Sequence, residues 1–433
     1  MLSTFRRLVS ALLEFQTRRL FRRKPYLVVA VSGAVGKTTT KLAIATVIAE
    51  KYRVLVQPGS FNDEIGLPLA CFGLDLPGHI TNPFAWARRL IQMEVILHSA
   101  ARYDVLVIEI GTDAPGEIPH ALSFIAPDVG VVTAVTAEHM AFFGTLDKVA
   151  AEELSLVAAS ARVLVSRDDI SARYLHKYVD PHPAHATYGL DKACDYAFDI
   201  DQSGLLDGTS GDLLRHGHKT IANITVGLYG EHMARAATAA FAVGDLLALT
   251  HAELKRGLEK IRPVAGRMSP LAGLNGSQLI DDTYNSSPGS LGAALSALMA
   301  MPVTGRRIAL LGSMNELGTL SRQYHEEAGA AAAGVDLLVT VGGLANGVLG
   351  PAAIRAGLDP TRYKPAESAQ VAGEYLKLLL APGDVLLAKG SQNGVFTEEA
   401  LPALLDNPAD KLRLVRQSPF WRRVKRKQRA AAA

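Results

Sequence analysis

Residues 27–48 read Leu27-Val28-Val29-Ala30-Val31-Ser32-Gly33-Ala34-Val35-Gly36-Lys37-Thr38-Thr39-Thr40-Lys41-Leu42-Ala43-Ile44-Ala45-Thr46-Val47-Ile48. The first six form a short apolar run rich in valine, which reads as a core strand. Gly33 and Gly36 mark a turn, and residues 42–48 return to an apolar run that reads as a helix. Strand, glycine turn, Lys-Thr and helix make the setting of a phosphate-binding loop. Glycine lets backbone N–H groups approach phosphate oxygens, and a helix N-terminus favours an anion there. Lys37 reaches the terminal phosphates, the Thr38 hydroxyl can ligate Mg²⁺, and Thr39 follows on the same loop. The standard spacing asks for a further glycine at position 31, where Val31 stands. The setting, more than the string, therefore carries the assignment. It predicts an α/β fold whose parallel sheet binds nucleotide at the C-terminal strand ends.

Around this stretch lie 433 residues, 48% hydrophobic and 20% charged. That composition excludes a disordered chain and suits two or three globular domains. Cys71 and Cys194 are the only cysteines. They fit a reducing compartment and exclude a cysteine-rich zinc site. No run of about 18 apolar residues is present to span a membrane. The net charge of +3 is unevenly spread: residues 1–25 carry +6, residues 411–433 carry +9, and the body between them −12. Leu2, Phe5, Leu8, Val9, Leu12 and Leu13 recur at helical spacing among arginines, which reads as a basic amphipathic helix and not a signal peptide. Such a helix either packs on its own protein or lies on anionic lipid. The second basic end, with Phe420, Trp421 and the run 422–429, could join it there. The expected location is cytoplasmic, extending to a peripheral place at the inner membrane face, with no specific nucleic acid as partner.

The pattern predicts a basic helix at 1–26, a P-loop central domain at 27–264, a smaller Rossmann-like domain at 265–410 and a basic tail at 411–433. Residues 184–226, rich in Gly, Asp and His with short β-like runs, read as antiparallel hairpins. Residues 230–262 read as two helices, and strands are expected at 278–280, 307–311, 337–341 and 385–388.

Several segments resemble one family. Residues 30–39 look like the P-loop of the Mur ligases, which also tend to have an aliphatic residue at the place of Val31. Asn62-Asp63-Glu64-Ile65-Gly66-Leu67-Pro68, Glu109-Ile110-Gly111 with Pro115-Gly116-Glu117-Ile118, and Glu138-His139 with Phe143-Gly144-Thr145 resemble that family's next motifs. Asp281-Asp282-Thr283-Tyr284-Asn285, Leu311-Gly312-Ser313-Met314-Asn315-Glu316-Leu317-Gly318 and Lys389-Gly390-Ser391 match the later ones, in order. Within the family, the members that add D-alanyl-D-alanine are the most similar.

The resemblance implies ATP and Mg²⁺, a carboxylate acceptor that is a peptide precursor, and an amino acid or dipeptide amine. It implies cell-wall peptide synthesis through an acyl phosphate. It casts Thr38, Glu109 and His139 as metal ligands, and Gly33, Gly36, Lys37, Thr38, Thr39, Asp282 and Asn285 as nucleotide-binding. Lys37, His139 and Arg267 become catalytic, and Asn62 and Lys389 face the substrates. Taken singly, Glu109 reads equally as a strand-end acid and His139 as an ordinary histidine; the linked motifs favour the ligand roles.

Departures matter too. The family usually has a carbamylated lysine fourteen residues beyond the histidine, where Glu153 stands. Glu153 is therefore expected to supply that carboxylate directly, and Glu153→Gln to cut ligation severely. Met233 and Ala236 stand where the family commonly has asparagines near adenine, and Gln392 where the most similar members often have arginine. Residues 1–26 are too few to make the family's N-terminal UDP-substrate domain, so the UDP group of the acceptor is expected to be held another way or to be absent. A different acceptor, such as a polyglutamate-type one, and a non-catalytic nucleotide-binding partner stay open as alternatives.

Overall fold

The structure, a computed structural model, describes residues 2–59, 61–203, 207–392 and 394–432. Nine strands build the first sheet: β1 (Leu27–Ser32), β2 (Val54–Val56), β3 (Val105–Glu109), β4 (Val129–Val132), β5 (Arg162–Ser166), β6 (His185–Gly189), β7 (Tyr196–Ser203), β8 (Thr209–Arg215) and β9 (His218–Val226). Their order is β2-β3-β1-β4-β5-β6-β7-β8-β9. Every pair is parallel until β7, after which β7, β8 and β9 run antiparallel. The hairpin expectation for 184–226 thus holds for β7–β9 but not for β6. The chain reaches β6 through the helical segment 172–179, and such a crossover delivers a strand parallel to β5.

Strand order reverses about β1, which has β3 on one side and β4 on the other. This is the switch point where open α/β sheets hold ligands. All residues of β3 and β4 are buried, as parallel strands covered on both faces require. Val29 and Val31 pack into one cluster with Ile44, Val47 and Phe241; Val28 and Ala30 pack into another with Leu13, Leu20, Trp86 and Met93. The alternation puts helices Lys37–Ile48 and Glu231–Leu246 on one face and helices Leu2–Arg23 and Pro83–His98 on the other.

The N-terminal helix therefore packs on its own protein along one stripe, where Val9, Leu13, Thr17 and Leu20 are buried. Its Arg19 pairs with Glu94 of the Pro83–His98 helix. Leu8, Leu12 and Phe15 stay outside the core. No helix among the described residues is long and apolar enough to cross a membrane.

The second sheet contains β10 (Ser269–Ala272), β11 (Gln278–Asp282), β12 (Arg307–Gly312), β13 (Leu337–Val341), β14 (Tyr363–Ala366) and β15 (Val385–Lys389). The order is β10-β11-β15-β12-β13-β14, with only the β10–β11 pair antiparallel. The four strands expected here each lie inside or equal to one of these. Past the sheet, Arg416 and Lys425 are buried against Glu398 at 2.7 and 2.9 Å. Part of the basic tail's charge is thus neutralised internally.

Candidate active site

The loop after β1 turns through two backbone conformations that favour glycine, φ 124° at Gly33 and 87° at Gly36. A Cβ at Gly33 would lie 2.3 Å from Oγ1 of Thr133, just past β4, so the loop also needs glycine for room. That Thr133 hydroxyl donates to the carbonyls of Ser32 and Val35 and holds the loop against the sheet. Helix Lys37–Ile48 starts at once, with its N-terminal amides at the cavity. Lys37 Nζ donates to Gly33 O at 2.6 Å and stands 3.8 Å from Glu138. Burial works against its charge, but Glu138, Glu153 and Glu109 outweigh it and hold its pKa above the ordinary lysine value.

The parallel register pairs Val31 of β1 with Glu109 of β3, which sets that carboxylate level with the loop. Thr38 Oγ1 donates to Glu109 Oε2 at 2.8 Å. Lys41, fully inside the protein, stands 3.2 Å from the same oxygen and donates to Gly59 O at 2.7 Å. Hydroxyl and carboxylate oxygens side by side suit Mg²⁺, which takes one or two protein ligands and completes its shell with phosphate and water. No group of three or more His, Cys, Asp or Glu placed to hold a metal ion occurs among the described residues. A dedicated all-protein cage is thus not what this site offers.

His139 adopts a left-handed backbone, φ 50°, at the start of helix Met140–Phe143. Its Nδ1 is 2.8 Å from Glu316 Oε2, which comes from the loop after β12, and its Nε2 is 3.6 Å from Asp113. Burial lowers its pKa, but Glu316, Glu138 and Asp113 together bring it above the usual histidine value.

Glu153 departs from its expected place. It is buried and does not line the cavity. Its Oε2 accepts the Gly33 N–H at 2.6 Å, and its backbone carbonyl accepts the Ser32 hydroxyl. Burial pushes its pKa up to about 7, against the pull of Lys37. The carboxylate expected at a metal is instead bonded to the back of the phosphate loop. Glu153→Gln keeps an oxygen for the Gly33 amide and removes the charge. The expected loss is about 1 kcal/mol, the difference between charged and neutral hydrogen bonds, or roughly fivefold in turnover. A loss above about a thousandfold in initial-rate assays, the scale expected for a key electrostatic group, would restore the metal role.

The second sheet supplies the opposite wall. Arg267 lies just before β10; its Nη2 donates to Thr38 Oγ1 at 3.0 Å, and its guanidinium stacks 4.1 Å from the Tyr284 ring centroid. The β11–β15 register pairs Asp282 with Lys389, and their side chains meet at 2.6 Å. Lys389 Nζ also donates to Asn285 O at 3.0 Å. Burial raises the Asp282 pKa despite Lys389.

These walls enclose a cavity of about 290 Å³. Gly36, Lys37, Thr38, Thr39, Asn62, Glu109, His139, Arg267, Asp282, Asn285 and Lys389 all line it. Of the residues given a catalytic, nucleotide, metal or substrate role from sequence, Gly33 and Glu153 alone do not line it. A smaller slot of about 170 Å³ shares Gly36, Thr39, His232 and Met233 with it and continues to Ala236 and Tyr188. Asn62 also borders a third cavity of about 400 Å³, with Asp113 and Arg6.

Sequence reasoning gave no role to Lys41, Glu138, His232 or Glu316. Lys41 had a signal, a lysine one helical turn past Lys37 that leads into an apolar run. Glu316 lay inside a matched motif without a partner. His232 is half-buried near Lys389 and Arg235, and its pKa falls to about 3, chiefly through desolvation.

Comparison with known proteins gives the family of this chain. Residues 87–244 match the Mur ligase middle domain, and residues 266–392 match the Mur ligase, glutamate ligase domain. The chain is 27% identical over 396 residues to the UDP-N-acetylmuramoyl-tripeptide–D-alanyl-D-alanine ligase of Bacillus subtilis, covering 88% of this chain and 76% of that protein. It is also 27% identical over 399 residues to the enzyme of the same name in Escherichia coli, covering 88% and 78%. Among solved structures, the MurF ligase of Thermotoga maritima in complex with ADP aligns with a TM-score of 0.73 at 23% identity, over 93% of this chain and 84% of that one. MurF from Acinetobacter baumannii aligns at 0.72 and 22%, over 90% and 78%. The structural likenesses show the fold, and the two domain matches together span more than half of the sequence: the chain belongs to the Mur ligase family.

Proposed function

We propose that this protein is an ATP- and Mg²⁺-dependent ligase that joins a peptide carboxylate to the amine of D-alanyl-D-alanine in cell-wall peptide synthesis. One observation carries the reading. Eleven residues, chosen from separate motifs, line a single cavity between two sheets, and Arg267 of one side touches Thr38 of the other.

The chemistry explains why both sides are needed. A carboxylate oxygen is a poor leaving group, so the acceptor carboxylate first attacks the γ-phosphorus of ATP and ADP departs. The amine then attacks the acyl carbon, phosphate leaves with the former carboxylate oxygen, and the nitrogen sheds a proton. Lys37 and Arg267 spread the charge of the transferring phosphoryl group. The loop amides hold the phosphate chain. Thr38 and Glu109 would hold Mg²⁺, with His139 near, and the metal would neutralise phosphate charge. Asp282 and Asn285 suit the nucleotide's sugar side, and the slot beside Met233 suits the base. Asn62 and Lys389 suit the acceptor and the amine. Glu153 is a positioning residue for the loop.

The test pairs purified protein and ATP with UDP-muramyl peptides and D-alanyl-D-alanine, read by mass spectrometry. The expected product has the summed mass less one water. No product with any UDP-muramyl peptide would remove this acceptor assignment, and product with a glutamate-chain acceptor would install the alternative. The partner proposed for the basic ends is an anionic membrane surface at the inner face of the cell membrane.

A further inference from the structure

Among the described residues, eight of the fourteen large apolar side chains left exposed fall between residues 8 and 95. Six of them belong to two helices. On Leu2–Arg23, Leu8, Leu12 and Phe15 follow steps of four and three, so they share one face. On Pro83–His98, Phe84, Ile91 and Val95 do the same, interrupted only by Arg88. Phe84 is 83% exposed, Ile91 64% and Val95 63%, while Leu8 and Phe15 are near 60% at 59% and 58%.

The two helices touch, and their contacts fix how they run. Gln16 and Arg19 meet Glu94, Arg23 meets His98, and Lys24 meets Ser99. Partner numbers rise together, so the helices are parallel. That register sets Leu8, Leu12 and Phe15 alongside Phe84, Ile91 and Val95, on the solvent side of the seam. Scattered exposed leucines are ordinary, but a gathered apolar face on a surface is a contact site.

Charge says what the face contacts. The first helix carries six arginines and a single glutamate, the second two arginines and a single glutamate. Glu14 and Glu94 are already paired with Arg18 and Arg19, and Arg6 with Glu64, which leaves Arg7, Arg22, Arg23, Arg88 and Arg89 without a carboxylate partner among the described residues. An apolar strip bordered by unspent positive charge is the pattern of a helix face lying at an anionic lipid surface. A second copy of this chain, packed two-fold on the same face, would oppose arginine to arginine.

We propose that the paired Leu2–Arg23 and Pro83–His98 helices seat this protein on an anionic phospholipid bilayer, with Phe84, Ile91, Leu8 and Phe15 entering the headgroup boundary. The inference deepens the peripheral location proposed for the basic ends and rests on it for the anionic partner. It moves the contact from charge at the two termini to a built face that includes a helix of the ligase body.

Flotation of the full chain tests it, with phosphatidylcholine vesicles and with vesicles in which roughly a third of the lipid is phosphatidylglycerol. The wild type is expected to float with the anionic vesicles and not the neutral ones. The double variant Phe84→Ser, Ile91→Ser is expected to bind at least about tenfold more weakly, since two large apolar groups no longer insert. ATP binding and thermal midpoint, measured beside it, should match the wild type. A wild type that ignores anionic vesicles overturns the proposal, as does a double variant that floats like the wild type. A wild-type dimer that Ile91→Ser dissociates assigns the face to a second copy and equally overturns it. The variant Arg422→Ala, Arg423→Ala, Arg426→Ala is expected to float normally. If it alone loses binding, the tail carries membrane contact and the helix pair does not. Ligase turnover in solution stands or falls separately.

Discussion

Lys37→Ala is expected to lower ATP-dependent ligation by about a thousandfold or more, the scale found when a principal charge-stabilising group is removed from phosphoryl transfer. Lys37 is the cation at the head of the phosphate loop, and Glu138, Glu153 and Glu109 keep it charged. Alanine leaves Gly33 and Gly36 to shape the loop, so the backbone amides still bind phosphate. The loss should therefore fall mainly on turnover, with a smaller weakening of ATP affinity. Initial rates of ADP and phosphate release, with ATP binding by calorimetry, separate the two. Phosphate release at the wild-type rate would move the ATP site away from this loop. A folding check is needed, because three carboxylates lose a common cation.

The second large effect is expected at Arg267. Its guanidinium spans the two sheets, held by Thr38 at one end and by the Tyr284 ring at its face. A planar fork can do both at once, and an ammonium cannot. Arg267→Ala should cut turnover by about a hundred- to a thousandfold, close to the cost of removing one transition-state donor. ATP affinity should stay within a few-fold, since the loop amides and Lys37 are intact. Arg267→Lys should recover only part of the loss. Unchanged turnover in the alanine variant would mean that the contact with Thr38 does not persist when ATP is bound.

The contrast between Glu153 and Asp282 shows how far sequence reaches. Asp282 was placed by a motif match, and Glu153 by counting fourteen residues on from His139. Asp282 lines the cavity because its strand ends at the edge of a parallel sheet, where its neighbour Lys389 ends the adjacent strand in register. For Glu153 the count left the direction of the side chain open. The residue ends a helix, Leu146–Glu153, and a helical position can face the cavity or the back of the loop. A tertiary hydrogen bond from Gly33 turns its carboxylate to the back of the loop.

Other features followed the same division. The strand–loop–helix of 27–48 was legible because local chemistry dictates it: a continuous apolar run, glycines at the turn, and lysine at a helix start. β6 was misread because strand direction depends on the path of the intervening chain. Glu316 and His139 are 177 positions apart in number, and nothing local tells that they meet across the two sheets. The N-terminal helix was legible as amphipathic, yet its apolar residues serve two sides. Val9, Leu13 and Leu20 enter the core, and Leu8, Leu12 and Phe15 do not. Composition cannot divide one stripe into two.

The central claim is that this cavity activates a carboxylate by phosphorylating it. Isotope transfer tests that claim most directly. An acceptor labelled with ¹⁸O in the reacting carboxylate is turned over with ATP and the amine, and the released phosphate is analysed by mass spectrometry. The account predicts one ¹⁸O in each phosphate when both carboxylate oxygens are labelled, matched by one ¹⁸O retained in the new amide. Phosphate that carries no label from the acceptor would contradict it.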